Sequence, residues 1–401
     1  MQRIVNPPGR VDADKYGTGK DGFQDGDPDN LPLPILPSTM QSDMTNSWTE
    51  EIAATVESTG SELDADDVHQ MARCVHGAVE RLAISNMPTL GGNGEENMNT
   101  VRHGRDQFDP DRGLFLVVGS AGRVWATEDG AVFETYAWFD QSKEITALVW
   151  YPTITRWVAG GQDGAIGLST NGDNWVEQTN PKSDGLQAMA YGNGVVVAVG
   201  ANGCLLTTTD GTTWQPQSAG TSEILRQVTY NATLDRWFVV GDQGVVRWSD
   251  GGDLITWTTI DLLVTTRFRS IATRASDGMM IIVGDEGEVY ASKDGVTWDA
   301  NVVASVDGGA NGAPILLDVA WTRAGLAIAV GIEHSLATGA SRFWTTTDAG
   351  KTWNAHKPTF DDPDDRQRSV AVADSPRSVD PNNGVVVTIG AGERVHHSWR
   401  M

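Results

Sequence analysis

The sequence predicts a mainly β protein. A seven-bladed β-propeller is expected over 99–401, preceded by an extended arm (1–45), a helical hairpin (46–85) and a linker (86–98). Three observations predict the ring. A unit of the form apolar run, Gly, polar pair, Gly, apolar run returns seven times. Its leading glycines, Gly119, Gly160, Gly200, Gly241, Gly284, Gly331 and Gly390, stand 41, 40, 41, 43, 47 and 59 residues apart. A period near forty residues with strand-like content marks a radial repeat rather than one folded core. Within each period, valine-rich runs bounded by glycines read as strands buried on both faces. A Ser/Thr-x-Asp-Gly-x-Thr-Trp segment, or a variant of it, then follows the third strand of most copies.

The third copy shows the logic of the elements. Residues 186–191, 195–199 and 204–208 read as three strands, and Trp214 opens a fourth. The Gly-x-x-Gly step between the second and third strands is a hairpin signal, because tight turns need positive φ. Four short antiparallel strands make one blade, which buries its faces only between neighbours. In the first copy the inner strand is expected over 99–105. The seventh copy runs to Met401 before any outer strand, so its blade either borrows one from an earlier segment or stays three-stranded.

The turn after each third strand has its own chemistry. Its acid or amide is Asp129, Asn171, Asp210, Asp250, Asp294 or Asp348, and its aromatic partner, where a Trp is present, is Trp175, Trp214, Trp257, Trp298 or Trp353. The side-chain oxygen accepts local backbone N–H groups, glycine takes the open φ, and the ring packs between blades. These segments resemble the Asp-box, or BNR, repeat of sialidases and related propellers. That resemblance implies a structural role, since such turns occur in enzymes and non-enzymes alike.

The front of the chain reads differently. Residues 1–45 are dense in Gly, Pro and Asp, as expected of an arm that needs a partner surface. Ser47-Trp48-Thr49-Glu50 is a capping box, and Trp48, Ile52 and Val56 recur at helical spacing. Asp64 caps a second helix whose apolar face is Val68, Met71, Ala72, Val75, Val79 and Leu82. Such a hairpin is too small to bury a core alone. The stretch from Asp14-Lys15-Tyr16-Gly17 through Gly19-Lys20-Asp21-Gly22-Phe23 and Asp25-Gly26-Asp27-Pro28 to Trp48-Thr49-Glu50-Glu51-Ile52 and Leu63-Asp64 resembles the start of tailed-bacteriophage tail-fibre and appendage proteins. The resemblance covers about 70 residues. It implies a virion protein docked to other phage tail proteins through Tyr16, Lys20, Asp21, Phe23, Trp48 and Ile52. A host-surface glycan or protein, or sister copies of the chain, would then be open to the propeller.

Charge and composition narrow the functions. With 29 basic and 53 acidic residues the net charge is −24, which disfavours nucleic-acid backbones and anionic membrane surfaces. No apolar stretch is long enough to span a bilayer, and MQRIVNPPGR lacks the apolar run of a secretory leader. Cys74 and Cys204 fall in different parts of the chain, no disulfide between them is expected, and they say little about compartment.

No catalytic residue, cofactor or metal site is expected. A sialidase reading needs an arginine triad for a carboxylate. Arg102, Arg226, Arg269 and Arg368 fall on inner strands and line a channel, but pairing with channel acids is the simpler expectation. The nearest match to the sialidase Phe/Tyr-Arg-Ile-Pro start, Phe268-Arg269-Ser270-Ile271, lacks its proline. The acidic run at 361–365 lacks the ordered spacing of a Ca²⁺ loop. His396 and His397 are strand neighbours and point to opposite faces. Trp125, Trp157, Trp237, Trp248 and Trp344 are expected to pack between blades. Insertions at 300–313, 331–341 and 355–367 place any variable binding surface on the loops of the last three repeats. The leading functional expectation is a non-enzymatic virion appendage. The alternatives are a sialidase-like propeller and an assembly-factor propeller of the photosystem-associated type.

Overall fold

The computed structural model describes residues 98–400 except 106–112, 128–132, 138–139, 141, 304–312, 323–324, 333–340, 357–366, 375–383 and 391–394. The arm, the helical hairpin and nearly all of the linker therefore lie outside the described residues, as do Tyr16, Lys20, Asp21, Phe23, Trp48, Ile52 and Asp129.

The described residues form antiparallel sheets arranged as a β-propeller. The first sheet holds β1 (Met98–Arg105), β2 (Gly113–Gly119), β3 (Arg123–Thr127) and β4 (Glu134–Ala137); the second holds β5 (Ile145–Tyr151), β6 (Arg156–Gly161), β7 (Ile166–Ser169) and β8 (Trp175–Gln178). The third is β9 (Leu186–Gly192), β10 (Val195–Gly200), β11 (Cys204–Thr208) and β12 (Gln215–Ser218), followed by β13 (Leu225–Asn231), β14 (Arg236–Gly241), β15 (Val246–Asp250) and β16 (Thr258–Thr259). Next come β17 (Phe268–Thr273), β18 (Met280–Gly284), β19 (Glu288–Ser292) and β20 (Asp299–Val302), then β21 (Ile315–Trp321), β22 (Ala327–Ile332), β23 (Ser341–Thr346) and β24 (Asn354–His356). The last sheet has only β25 (Gln367–Asp374), β26 (Gly384–Gly390) and β27 (Val395–Arg400). The expectation of seven blades is corrected to six complete four-stranded blades and one three-stranded sheet, because no described strand pairs with the outer side of β27.

Neighbouring sheets pack face to face. Successive inner strands lie side by side, and β1 also lies beside β25. Apolar clusters run between the sheets: Leu116, Val118, Leu148 and Trp157 join the first to the second, and Met98, Val101, Val387 and Ile389 join the first to the last. Trp125, Trp157, Trp237 and Trp344 are fully buried in these seams. Trp248 is half-buried, with the Arg236 guanidinium 3.9 Å above its ring. Trp214 precedes β12 instead of opening it and is buried as a plug at the head of that strand.

The glycine pairs do two different jobs. In the turns at 120–122, 201–203, 242–244 and 285–287 the middle residue and the second glycine both take positive φ, as at Asn202 (53°) and Gly203 (65°). Two consecutive left-handed residues match the right-handed twist of the strands they join. The leading glycine is different. Gly200 is extended, with φ −175°, which any residue adopts. It is needed for space, since a Cβ there would sit 1.9 Å from the Gly185 carbonyl oxygen. The same approach recurs at Gly241, 2.2 Å from Ile224 O, and Gly331, 2.0 Å from Ile315 O.

Two substitutions probe these seams. Trp237 Nε1 has no hydrogen-bond partner, so the ring contributes by packing alone. Trp237→Ala should cost about 3–5 kcal/mol of unfolding free energy and Trp237→Phe clearly less, read by denaturant melts. Gly244→Ala would meet Val264 O at 2.0 Å on a backbone of φ 68°. It should destabilise by more than the roughly 1 kcal/mol that a left-handed alanine costs alone.

Candidate functional site

The ring centre is built by one recurring backbone irregularity. Each inner strand slips register against its partner near its start, between Met98 and Thr100, Ile145 and Ala147, Leu225 and Gln227, Phe268 and Ser270, Leu316 and Asp318, and Gln367 and Ser369. β9 does the same between Leu186 and Ala188. A bulge re-aims one side chain out of the strand's alternation. The bulged residues Asn99, Thr146, Gln187, Arg226, Arg269 and Leu317 all line one central cavity of about 370 Å³, together with Arg102, Glu144, Gln162, Gln227 and Asp318. Arg368 holds the bulged position of β25, but its side chain lies outside the described residues.

The arginines expected in the channel are brought there, and each described one meets a carboxylate. Arg226 makes a two-pronged contact with Asp242, at 2.6 and 3.0 Å, and Arg267 reaches the same acid at 2.9 Å. Arg269 meets Asp285 at 2.5 and 3.3 Å, sixteen residues along the chain, as Arg226 does with Asp242. Both acids open a glycine-pair turn. Burial pushes the Asp242 carboxyl pKa up, but hydrogen bonding and charge from Arg226, with the charge of Arg267, outweigh it and the net shift is downward.

Asp318 is the second hub. It is 6 % exposed and accepts hydrogen bonds from Ser270 Oγ (2.6 Å), Ser369 Oγ (2.7 Å), Val319 N (3.0 Å) and Val370 N (3.2 Å). Arg102 Nη1 lies 3.6 Å away. One carboxylate thus joins β17, β21, β25 and β1. Sequence reasoning singled out neither Asp242, Asp285 nor Asp318. The first two carried a signal, an Arg-to-Asp spacing of sixteen in consecutive repeats. Asp318 carried none, because its partners come from three other sheets.

The acidic turns form as expected, with one correction. Asp210 Oδ1 accepts Thr212 N at 2.8 Å and Thr213 N at 2.7 Å, and Asp294 Oδ1 accepts Val296 N and Thr297 N at the same distances. Asn171 Oδ1 does this with an amide, at 3.1 Å to both Asp173 N and Asn174 N. Asp348 accepts Thr352 N at 2.9 Å and Thr352 Oγ1 at 2.6 Å across its one-residue insertion. Glycine is required in these turns twice over. At Gly295 φ is 71° and a Cβ would lie 2.5 Å from the Phe238 ring of the preceding blade. Trp175 and Trp353 donate their indole N–H to Gly172 O and Gly350 O. In the fourth copy, however, Asp250 is exposed and pairs with Arg236 at 3.5 Å. Asp253 takes the turn role, accepting Thr256 N, with Leu254 at φ 52° where the other turns have glycine. Trp257 then donates to Leu254 O. The doubled glycine at 251–252 shifts the motif by three residues relative to a reading from Asp250.

Other expectations fall as follows. His396 and His397 lie on β27 and the run at 361–365 lies outside the described residues. Cys204 is a free, buried thiol, and burial pushes its pKa up to about 11. Among the described residues no cluster of three or more His, Cys, Asp or Glu side chains is placed to hold a metal, and no helix is long and apolar enough to cross a membrane.

No family model matches the chain, and no curated protein matches it. Solved structures do. It is similar to YCF48 from Cyanidioschyzon merolae, at 17% identity and TM-score 0.54, over 76% of this chain and 96% of that one. It is similar to YCF48 bound to D1 peptide, at 15% identity and TM-score 0.54, over 77% and 96%. The WD40 β-propeller domain of Doa1 matches at 11% identity and TM-score 0.56, over 76% and 93%. At these identities the likeness is one of fold, the β-propeller.

The turn acids give a pH prediction. Backbone N–H groups lower the pKa of Asp210 and Asp294, and Thr352 with its N–H and hydroxyl holds Asp348 down to about 2. A carboxylate depressed in the folded state stabilises above its unfolded value, near 3.8 here, and that stability is lost as pH falls through the folded value. The melting temperature should therefore fall between about pH 4 and pH 2. Asp210→Asn should flatten that fall while leaving the neutral-pH fold intact, as Asn171 does natively. At the channel, Asp242→Asn should destabilise more than Arg267→Met. It loosens two guanidinium contacts at once, each charged hydrogen bond being worth about 1.5–3 kcal/mol.

Proposed function

We propose that this chain is a non-enzymatic phage virion component, a tail fibre or tail-attached appendage, whose propeller binds a partner rather than transforming a substrate. The observation that carries the non-enzymatic half is the state of the channel arginines. A sialidase-type site presents several guanidinium groups to a ligand carboxylate. Here Arg226, Arg267 and Arg269 already face Asp242 and Asp285, and Arg102 stands beside Asp318. Their fork geometry is taken up by the protein's own acids, so the channel acts as an internal brace. The turns at Asn171, Asp210, Asp253, Asp294 and Asp348 are read as Asp-box turns in a structural role, and the three-stranded sheet as the seventh member of the ring.

The virion half rests on the resemblance of the front segment to tail-fibre proteins, with Tyr16, Lys20, Asp21, Phe23, Trp48 and Ile52 as the attachment contacts. Binding of a protein partner is supported in general terms by the likeness to a propeller solved with a bound peptide. An assembly-factor reading draws on that same fold likeness, with no further observation behind it.

The test is incorporation. Particles should contain the full-length chain and should lose it when residues 1–60 are deleted, while the truncated protein keeps the melting temperature of its propeller. Equal incorporation of the truncated chain sinks the attachment reading. Turnover of a fluorogenic sialoside by the purified protein, abolished by Arg226→Met, would establish the rival instead.

A further inference from the structure

The bulged residues give the central cavity three unlike sides. The fourth and fifth sheets contribute Arg226 and Arg269, both tied to acids of the chain. The sixth contributes Leu317, which makes an apolar side with Ile315 and Ile332. The first three contribute Asn99, Thr146 and Gln187, all neutral and polar, and Thr100, Gln162 and Gln227 line the cavity with them. Because β1 lies against β25, β21 stands across the ring from β5 and β9, so the apolar side faces the neutral one. We propose that these two sides together bind an extended, non-acidic peptide segment of a partner, with an aliphatic side chain laid against Leu317.

The neutral side holds polar groups that the chain leaves unused. Gln227 is 9 % exposed, and its Oε1 accepts Val228 N at 3.0 Å. That leaves Nε2 with no acceptor among the described residues. Thr100 is 7 % exposed, and its hydroxyl has no partner there either. The carboxamides of Gln187 and Gln162 are likewise unengaged among the described residues. Buried polar groups are normally hydrogen-bonded, so each exception calls for a cause. Position in the strand is not that cause. Ser270 and Ser369 hold the same place after the bulge as Thr100 and Gln227, and both donate to Asp318.

The chemistry selects the ligand. A carboxamide offers an acceptor and two donors side by side, the complement of a peptide bond's N–H and C=O. Ile315, Leu317 and Ile332 suit an aliphatic side chain. The volume, about 370 Å³, is that of an ordinary ligand pocket. Gln162 belongs to the turn after β6 and Ile332 ends β22, so the cavity reaches the face of the glycine-pair turns. An acidic ligand fits poorly, since Arg226 and Arg269 already face acids, Glu144 lines the cavity and the net charge is −24. A sugar packs its C–H face best on an aromatic ring, and no described lining residue is aromatic. The inference rests on the reading that the propeller binds a partner.

The test uses the purified full-length chain and a synthetic array of heptapeptides, acetylated and amidated at their ends. Peptides with Leu, Ile or Val among neutral or basic residues should bind, and acidic ones should not. For the tightest of them, fluorescence anisotropy should show at least tenfold weaker binding to Gln187→Ala and to Leu317→Asn. Gln215→Ala, on an exposed outer strand, should bind as the parent does. The Gln187 side chain makes no bond within the described chain, so its variant should keep the parent's melting temperature. No binding by any peptide overturns the proposal and leaves the cavity to water. So does equal binding by the cavity variants. Binding of galactose or N-acetylglucosamine that is lost in Gln187→Ala, with no peptide bound, would assign the neutral side to a glycan instead. A chain that binds these peptides yet is missing from particles defeats the virion reading alone. An incorporated chain that binds none defeats this inference alone.

Discussion

The ring depends on a backbone contact that only glycine allows. At four of the glycine-pair turns the chain of one blade is pressed against the segment leading into its own inner strand. Ala201 N donates to Gly185 O at 2.8 Å, and Asp242 N to Ile224 O at 2.9 Å. The same turns reach forward as well. Gly203 N donates to Glu223 O at 2.9 Å and Gly244 N to Thr266 O at 2.7 Å, just ahead of the next inner strand. A side chain at Gly200, Gly241 or Gly331 would collide with a carbonyl oxygen of the same blade, and one at Gly203 or Gly244 with a carbonyl oxygen leading into the next, so the trailing glycines are the ones that stitch blade to blade.

Polar bracing is laid over that stitching and is uneven around the ring. The fourth and fifth blades share an arginine–aspartate chain, in which Arg267 spans from Asp242 at 2.9 Å to Asp285 at 3.9 Å. The fifth, sixth and last sheets meet instead at Asp318, with the first sheet's Arg102 beside it. Burying a carboxylate is costly unless it is fully bonded, and Asp318 has four donors. The bracing at Asp318 falls where the last sheet, with three described strands, meets its neighbours. The guanidinium groups of Arg102, Arg226, Arg267 and Arg269 thus all face carboxylates of the chain itself.

Sequence by itself determined the architecture class, the repeat boundaries and most strand positions. Those properties are local: the valine runs, the glycine pairs and the Asp-Gly-x-Thr-Trp turns each satisfy their own backbone within a few residues. It foretold that the channel arginines meet acids, and that Trp125, Trp157, Trp237 and Trp344 pack in the seams. The tertiary structure decided what depends on neighbours. It moved the fourth turn's acid from Asp250 to Asp253, because Asp250 still belongs to β15 and faces Arg236 across the strand pair. It gave the leading glycines a reason in crowding instead of φ, since the colliding carbonyl comes from the start of the blade's inner strand or the residue just before it. It assigned the bulged residues to the centre and made Asp318 a hub, because a side chain's partners across three sheets leave no mark at any fixed spacing along the chain.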